Sequence, residues 1–154
     1  MDADERARLR RTTDSHTPIK GRRWRRTDPG LDEATRQLLV DELMTARRMV
    51  KTAKGDDDAT ATARARVNDA KVALGERGPR WWEDQTSDEV ATRAAAVART
   101  LERSNGDVLD LDEAIRLVGI EPIGDPSDPS ADSHSSAPGA PSDDTSAASA
   151  SAAS

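Results

Sequence analysis

The sequence predicts an all-α protein: an antiparallel helical hairpin capped by tryptophan residues, two shorter helices after it, and disordered N- and C-terminal tails. Three observations carry this. Between Asp28 and Trp82, apolar residues recur at alternating spacings of four and three, the repeat of one helix face, in two runs separated by a short acidic turn. Glycines stand where the runs stop, and paired helix-start residues stand before the later ones. Trp24, Trp81 and Trp82 are the only aromatic residues, and they bracket the two runs.

The first helix is expected to open at Asp28-Pro29. An aspartate can accept hydrogen bonds from the free N–H groups of a first turn, and proline needs no donor at the first helical position. Leu39, Leu43, Ala46, Val50 and Ala53 form its stripe, Arg47, Arg48, Lys51 and Lys54 gather toward its negative end, and Gly55 stops it. Asp56-Asp57-Asp58 then supplies acidic charge to the start of a second helix with Ala63, Val67, Ala70 and Leu74 on one face and Gly75 as its stop. So short a connection implies antiparallel neighbours. The second stripe is mostly alanine and buries little area per contact, so the pair alone is marginal and wants a third partner.

Gly75 to Asp84 contains two glycines and Pro79, which prevent a continuous helix. Of the adjacent Trp81 and Trp82, one is expected to plug the end of the hairpin while the other packs on an arginine stem or offers a contact to a partner. Thr86 and Glu89 have capping-box spacing ahead of Val90, Ala94, Val97 and Leu101, and Asn105-Gly106 closes that helix. Asp110 and Glu113 repeat the arrangement before Leu111, Ile115 and Val118, with Gly119 as the stop. The expected organisation is a disordered basic arm over 1–20, whose first 16 residues carry acids before bases and can be nascent-helical, then a hairpin domain over 21–84, two short helices over 85–120, and a disordered acidic Ser/Ala/Pro tail over 121–154.

Composition narrows the function. Hydrophobic and charged residues each make up 34% of the 154 residues, which leaves material for one small core and a large solvated surface. There is no cysteine for disulfides or thiolate metal sites, and His16 and His134 both fall in segments expected to be disordered. The Asp56-Asp57-Asp58 run lacks the spacing and closing glutamate of a calcium loop. No catalytic residue, cofactor or metal is therefore expected. Neither a signal peptide nor a membrane span is expected, and the location is read as cytoplasmic.

Charge is unevenly spread along the chain. From Arg6 to Arg26 nine Lys and Arg face a single acid, Asp14, whereas no Lys or Arg follows Arg116. The densest cationic stretch is Lys20, Arg22, Arg23, Arg25 and Arg26 around Trp24. It can be read in two ways. The arginines can hold phosphates while Trp24 stacks on a base, or Trp24 can pack on the hairpin while the arginines stay in water or pair with helix acids such as Asp32, Glu33, Asp41 and Glu42.

The strings Gly21-Arg22-Arg23-Trp24-Arg25-Arg26-Thr27-Asp28-Pro29, Leu39-Val40-Asp41-Glu42-Leu43-Met44 and Ala46-Arg47-Arg48 resemble a group of small actinobacterial proteins. The likeness continues through Asp69 to Gly78 and Trp81-Trp82 and spans about residues 21 to 84. Some members are labelled Tol-type biopolymer transporters, and the hairpin is often followed by a small winged-helix-like domain. The resemblance implies that Val90–Leu101 and Leu111–Val118 are similar to the first two helices of that domain. After Gly119 no third amphipathic helix or wing follows, so the region reads as a truncated remnant without a recognition helix.

These readings converge on a non-catalytic interaction or regulatory module working through its helical hairpin, with a protein partner or a second copy as ligand. The alternative is a nucleic-acid-associated accessory protein. The candidate binding residues are Lys20, Arg22, Arg23, Trp24, Arg25, Arg26, Trp81 and Trp82.

Overall fold

Local chemistry sets most helix ends. In the computed structural model, which describes residues 1–123, α3 (Asp57–Leu74) begins where the Asp56 side chain accepts from the Ala59 N–H, and it ends on left-handed Gly75. Both α4 (Ser87–Asn105) and α5 (Leu111–Val118) open with complete capping boxes, Thr86 with Glu89 and Asp110 with Glu113, and close on left-handed Gly106 and Gly119. Each box satisfies two backbone donors that would otherwise face water without an intrahelical partner.

The earliest of these long helices, α2 (Glu33–Thr52), starts later than Asp28-Pro29 suggests. Its N-cap is Asp32, and the Asp28 carboxylate is committed elsewhere: Oδ1 accepts from the Gly30 N–H at 2.7 Å, which folds residues 28–31 into a turn ahead of the helix. Leu39, Leu43 and Ala46 face inward from α2, and Ala63, Ala70, Ala73 and Leu74 face inward from α3.

The α2–α3 pair acquires its third partner in α4. At 19 residues α4 matches α2 at 20 and α3 at 18, which corrects the expectation of two short appended helices. It packs on both and buries Val90, Ala94, Ala96, Val97 and Leu101, while α5 closes over α4 with Ala114 and Val118. Ion pairs also link the helices to one another. Asp69 of α3 takes Arg99 at 3.0 Å and Arg103 at 2.8 Å from α4, and Glu42 of α2 takes Arg66 of α3 at 2.8 Å.

Two further elements correct the all-α expectation and the disordered arm. Residues 3–12 form α1 (Ala3–Thr12), and β1 (His16–Ile19) pairs antiparallel with β2 (Arg22–Arg25). The strand pair turns through Lys20 and Gly21, both at positive φ (51° and 80°), as a two-residue hairpin loop requires. Helix α1 docks with arginines rather than with apolar residues. Arg6 and Arg10, four apart on one face, donate to the last carbonyls of α5: Arg10 to Val118 and Gly119, each at 2.6 Å, and Arg6 to Leu117 and Val118.

Beneath α1 lies a buried charge cluster. Asp28 is fully buried and receives Arg10 through Nε (2.9 Å to Oδ1) and Nη2 (2.7 Å to Oδ2), together with Arg93 Nη1 at 2.7 Å. Arg93 is itself fully buried in α4 and donates Nε to the Ala73 carbonyl at 3.1 Å near the end of α3. Two guanidiniums thus converge on one carboxylate, and the negative ends of α3 and α5 supply the balancing partial charge. Burial pushes the Asp28 carboxyl upward, but Arg93, Arg10 and the Gly30 N–H outweigh it and hold the group below the usual carboxylate range. Residues 1–123 make up one unit. At its edge the Ile123 N–H donates to the Gln85 carbonyl at 2.7 Å, and the rest of the expected acidic tail lies outside the described residues.

Candidate functional site

The strand register divides the β1–β2 hairpin into two faces. Thr17 opposes Trp24 and Ile19 opposes Arg22, so these four side chains share one face. His16 with Arg25 and Pro18 with Arg23 form the other. A two-stranded sheet has only edge strands, which is why Pro18 is tolerated within β1.

The second face is seated on the helical body. Arg25 lies over the Trp82 ring at 5.1 Å and donates Nη1 to the Gly78 carbonyl at 3.0 Å. The His16 ring meets Trp82 edge-on at 5.3 Å. Burial, and after it the nearby Arg80, lower the Arg25 pKa, with Glu83 opposing. Trp81 is buried beside this contact, meets Trp82 edge-on at 5.3 Å, and donates Nε1–H to the Arg26 carbonyl at 2.9 Å. Of the eight sequence-predicted residues, then, Arg25, Trp81 and Trp82 anchor the hairpin to the body.

The other five are open. Trp24 is 45% exposed, and Arg22 lies over its ring at 5.5 Å. Lys20 sits at the turn, with Arg22, Arg23 and Arg26 exposed beside it. Among the described residues none of Lys20, Arg22, Arg23, Arg25 and Arg26 forms an ion pair. Three of the helix acids named as partners are engaged elsewhere, Glu42 with Arg66, Glu33 with Arg36 and Asp41 with Gln37, and Asp32 forms no ion pair among the described residues. Trp24 is thus half-exposed rather than packed away, while Lys20, Arg22, Arg23 and Arg26 stand in solvent rather than in ion pairs.

Two residues join this set that the linear pattern had placed on helix surfaces. The free face of the hairpin opens onto a groove of about 520 Å³ to which α2 contributes Arg47 and α3 contributes Lys71. Their sequence positions carry no hint of it, since 21 or more residues separate them from Arg26. The carboxylate in the groove wall is Glu76, whose Oε2 accepts from Thr27 at 2.7 Å.

Over residues 1–123 the 23 Lys and Arg nearly balance 24 Asp and Glu, so the basic strip is a local segregation of charge rather than a net excess. Among the described residues no cluster of His, Cys, Asp and Glu is arranged to hold a metal ion, and no helix is long and apolar enough to cross a membrane. Compared with known proteins, the chain matches no family model, no curated protein and no solved structure.

Proposed function

We propose that the chain is a non-catalytic binding module that holds the phosphate backbone of a nucleic acid against the β1–β2 hairpin. The observation that carries this is the run of exposed cations without carboxylate partners around an exposed tryptophan. Keeping like charges this close without counter-ions costs stability, and a bound polyanion offsets that cost. The half-exposed Trp24 among them offers a flat ring on which a base can stack. The competing reading, a protein-interaction module working through the helices, is less well supported. The apolar faces of α2, α3 and α4 are spent on one another, and Trp81 is buried.

Titration of DNA with the full chain across a salt series tests the reading. Each phosphate contact should contribute a log–log slope of about −0.9 on duplex and about −0.7 on single strand. The triple variant Arg22→Ala, Arg23→Ala, Arg26→Ala spares the structural Arg25, and it should lose about two units of slope on single strand along with most of the affinity. Absence of binding at low salt, or equal binding by the variant, would overturn the proposal.

A further inference from the structure

Resting on that reading, we infer that the groove between the hairpin and helices α2 and α3 takes a single-stranded nucleic acid, with one base stacked on Trp24 and its phosphates on Arg26, Arg47 and Lys71. The placement of the hairpin decides between single strand and duplex. A two-stranded ribbon can enter the major groove of a duplex when it stands free. Here one face is held down through Arg25, His16 and Trp82, and the other lines an open groove to which α2 adds Arg47 and α3 adds Lys71. A duplex keeps its base faces stacked on one another and has none to offer the exposed Trp24 ring. A single strand can enter, and it alone has base faces free to stack.

The chemistry of the groove is mixed in the way such a ligand requires. Thr17, Ile19 and Trp24 give it an apolar wall, with Ile19 50% exposed. Arg26, just after β2, lines the groove together with Arg47 of α2 and Lys71 of α3. Arg22 covers one side of the Trp24 ring as a cation–π partner, which fixes the indole and leaves the groove side for a base. The Glu76 carboxylate, which accepts from Thr27, is outnumbered in the groove lining by Arg26, Arg47 and Lys71. No sequence readout is built here, because stacking accepts every base and the cations reach only phosphate.

The test uses three short probes of equal length on the full chain: an oligothymidylate, the same sugar–phosphate chain without bases, and a duplex. The oligothymidylate should bind about ten-fold more tightly than the baseless chain, the value of one base stacked on an aromatic ring. Trp24→Ala should remove that difference, Trp24→Phe should retain most of it, and binding should quench tryptophan emission in the wild type more than in Trp24→Phe. The pair Arg47→Ala, Lys71→Ala should weaken both single-stranded probes alike and lower the salt slope by about 1.4. Equal binding of the first two probes, tightest binding of the duplex, or no effect of Trp24→Ala would each overturn the single-strand inference. The phosphate-binding proposal would survive those results through its salt slope. If no probe binds at low salt, both fall.

Discussion

Exchanging Asp28 for asparagine should destabilise residues 1–123 by about 3–5 kcal/mol, the usual cost of removing one partner from a buried ion pair. The substitution changes no volume and so isolates the electrostatics. Oδ2 accepts from Arg10 Nη2 and Arg93 Nη1, each at 2.7 Å. An amide nitrogen there would set donor against donor, and turning the amide over would move the clash to the Gly30 N–H. Two guanidiniums, one of them fully buried, would remain without a full counter-charge. Against a total of about 5–15 kcal/mol for a typical domain, that is a large fraction, and the melting temperature should fall by more than about 10 °C. A loss below about 1 kcal/mol would mean that water reaches the cluster in solution.

The same carboxylate sets the acid limit. Its pKa is depressed in the folded state, so the unfolded chain binds the proton more readily, and the stabilisation is complete above the unfolded value of about 3.9. It is lost as pH falls through the folded value. Circular dichroism should therefore show an intact helical body at pH 5 and unfolding only below about pH 4. For Asp28→Asn that acid-dependent step should be diminished at every temperature at which the variant folds.

Asp28 also shows where a sequence stops being legible. Asp-Pro is a sound local signal for a helix start, and nothing within ten residues contradicts it. What overrides it is Arg93, 65 positions away, together with Arg10 from a segment that offers no apolar face. The order of charges in α1 suits a helix, but its docking was hidden for the same reason, since the docking side is Arg6 and Arg10 and a hydrophobic pattern cannot register it. The β-hairpin escaped because its strands are four residues long, Pro18 interrupts one, and its turn is Lys-Gly instead of the Asn-Gly that marks such loops. By contrast, α3, α4 and α5 were readable to within a residue or two because Asp56, Thr86 with Glu89, Asp110 with Glu113, and the closing glycines act on their own neighbours. The candidate site followed that division. Charge density alone picked out Lys20, Arg22, Arg23 and Arg26, whereas separating them from the anchoring Arg25 and recruiting Arg47 and Lys71 required the fold.

Gly75→Ala should cost about 3 kcal/mol, and a matched control separates the causes. Gly75 and Gly106 both close helices at φ of 84°. A methyl at Gly106 would meet nothing within 4 Å, so Gly106→Ala should lose only the left-handed backbone penalty of about 1 kcal/mol. At Gly75 the same methyl would lie 2.9 Å from Trp81 Cδ1 and 3.0 Å from the Asp28 Cβ, adding overpacking of about 2 kcal/mol. Neither neighbour can yield cheaply. Trp81 is fixed by its bond to the Arg26 carbonyl, and Asp28 by two arginines and the Gly30 N–H. Equal losses at the two glycines in thermal melts would show that this junction is looser than its distances imply. Because Trp81 also holds the base of β2, the strain at Gly75 should reach the hairpin. Gly75→Ala should weaken nucleic-acid binding at temperatures where the helices remain intact, while Gly106→Ala leaves it unchanged. That coupling is expected if the end of α3 both seals the buried cluster and seats the basic strand.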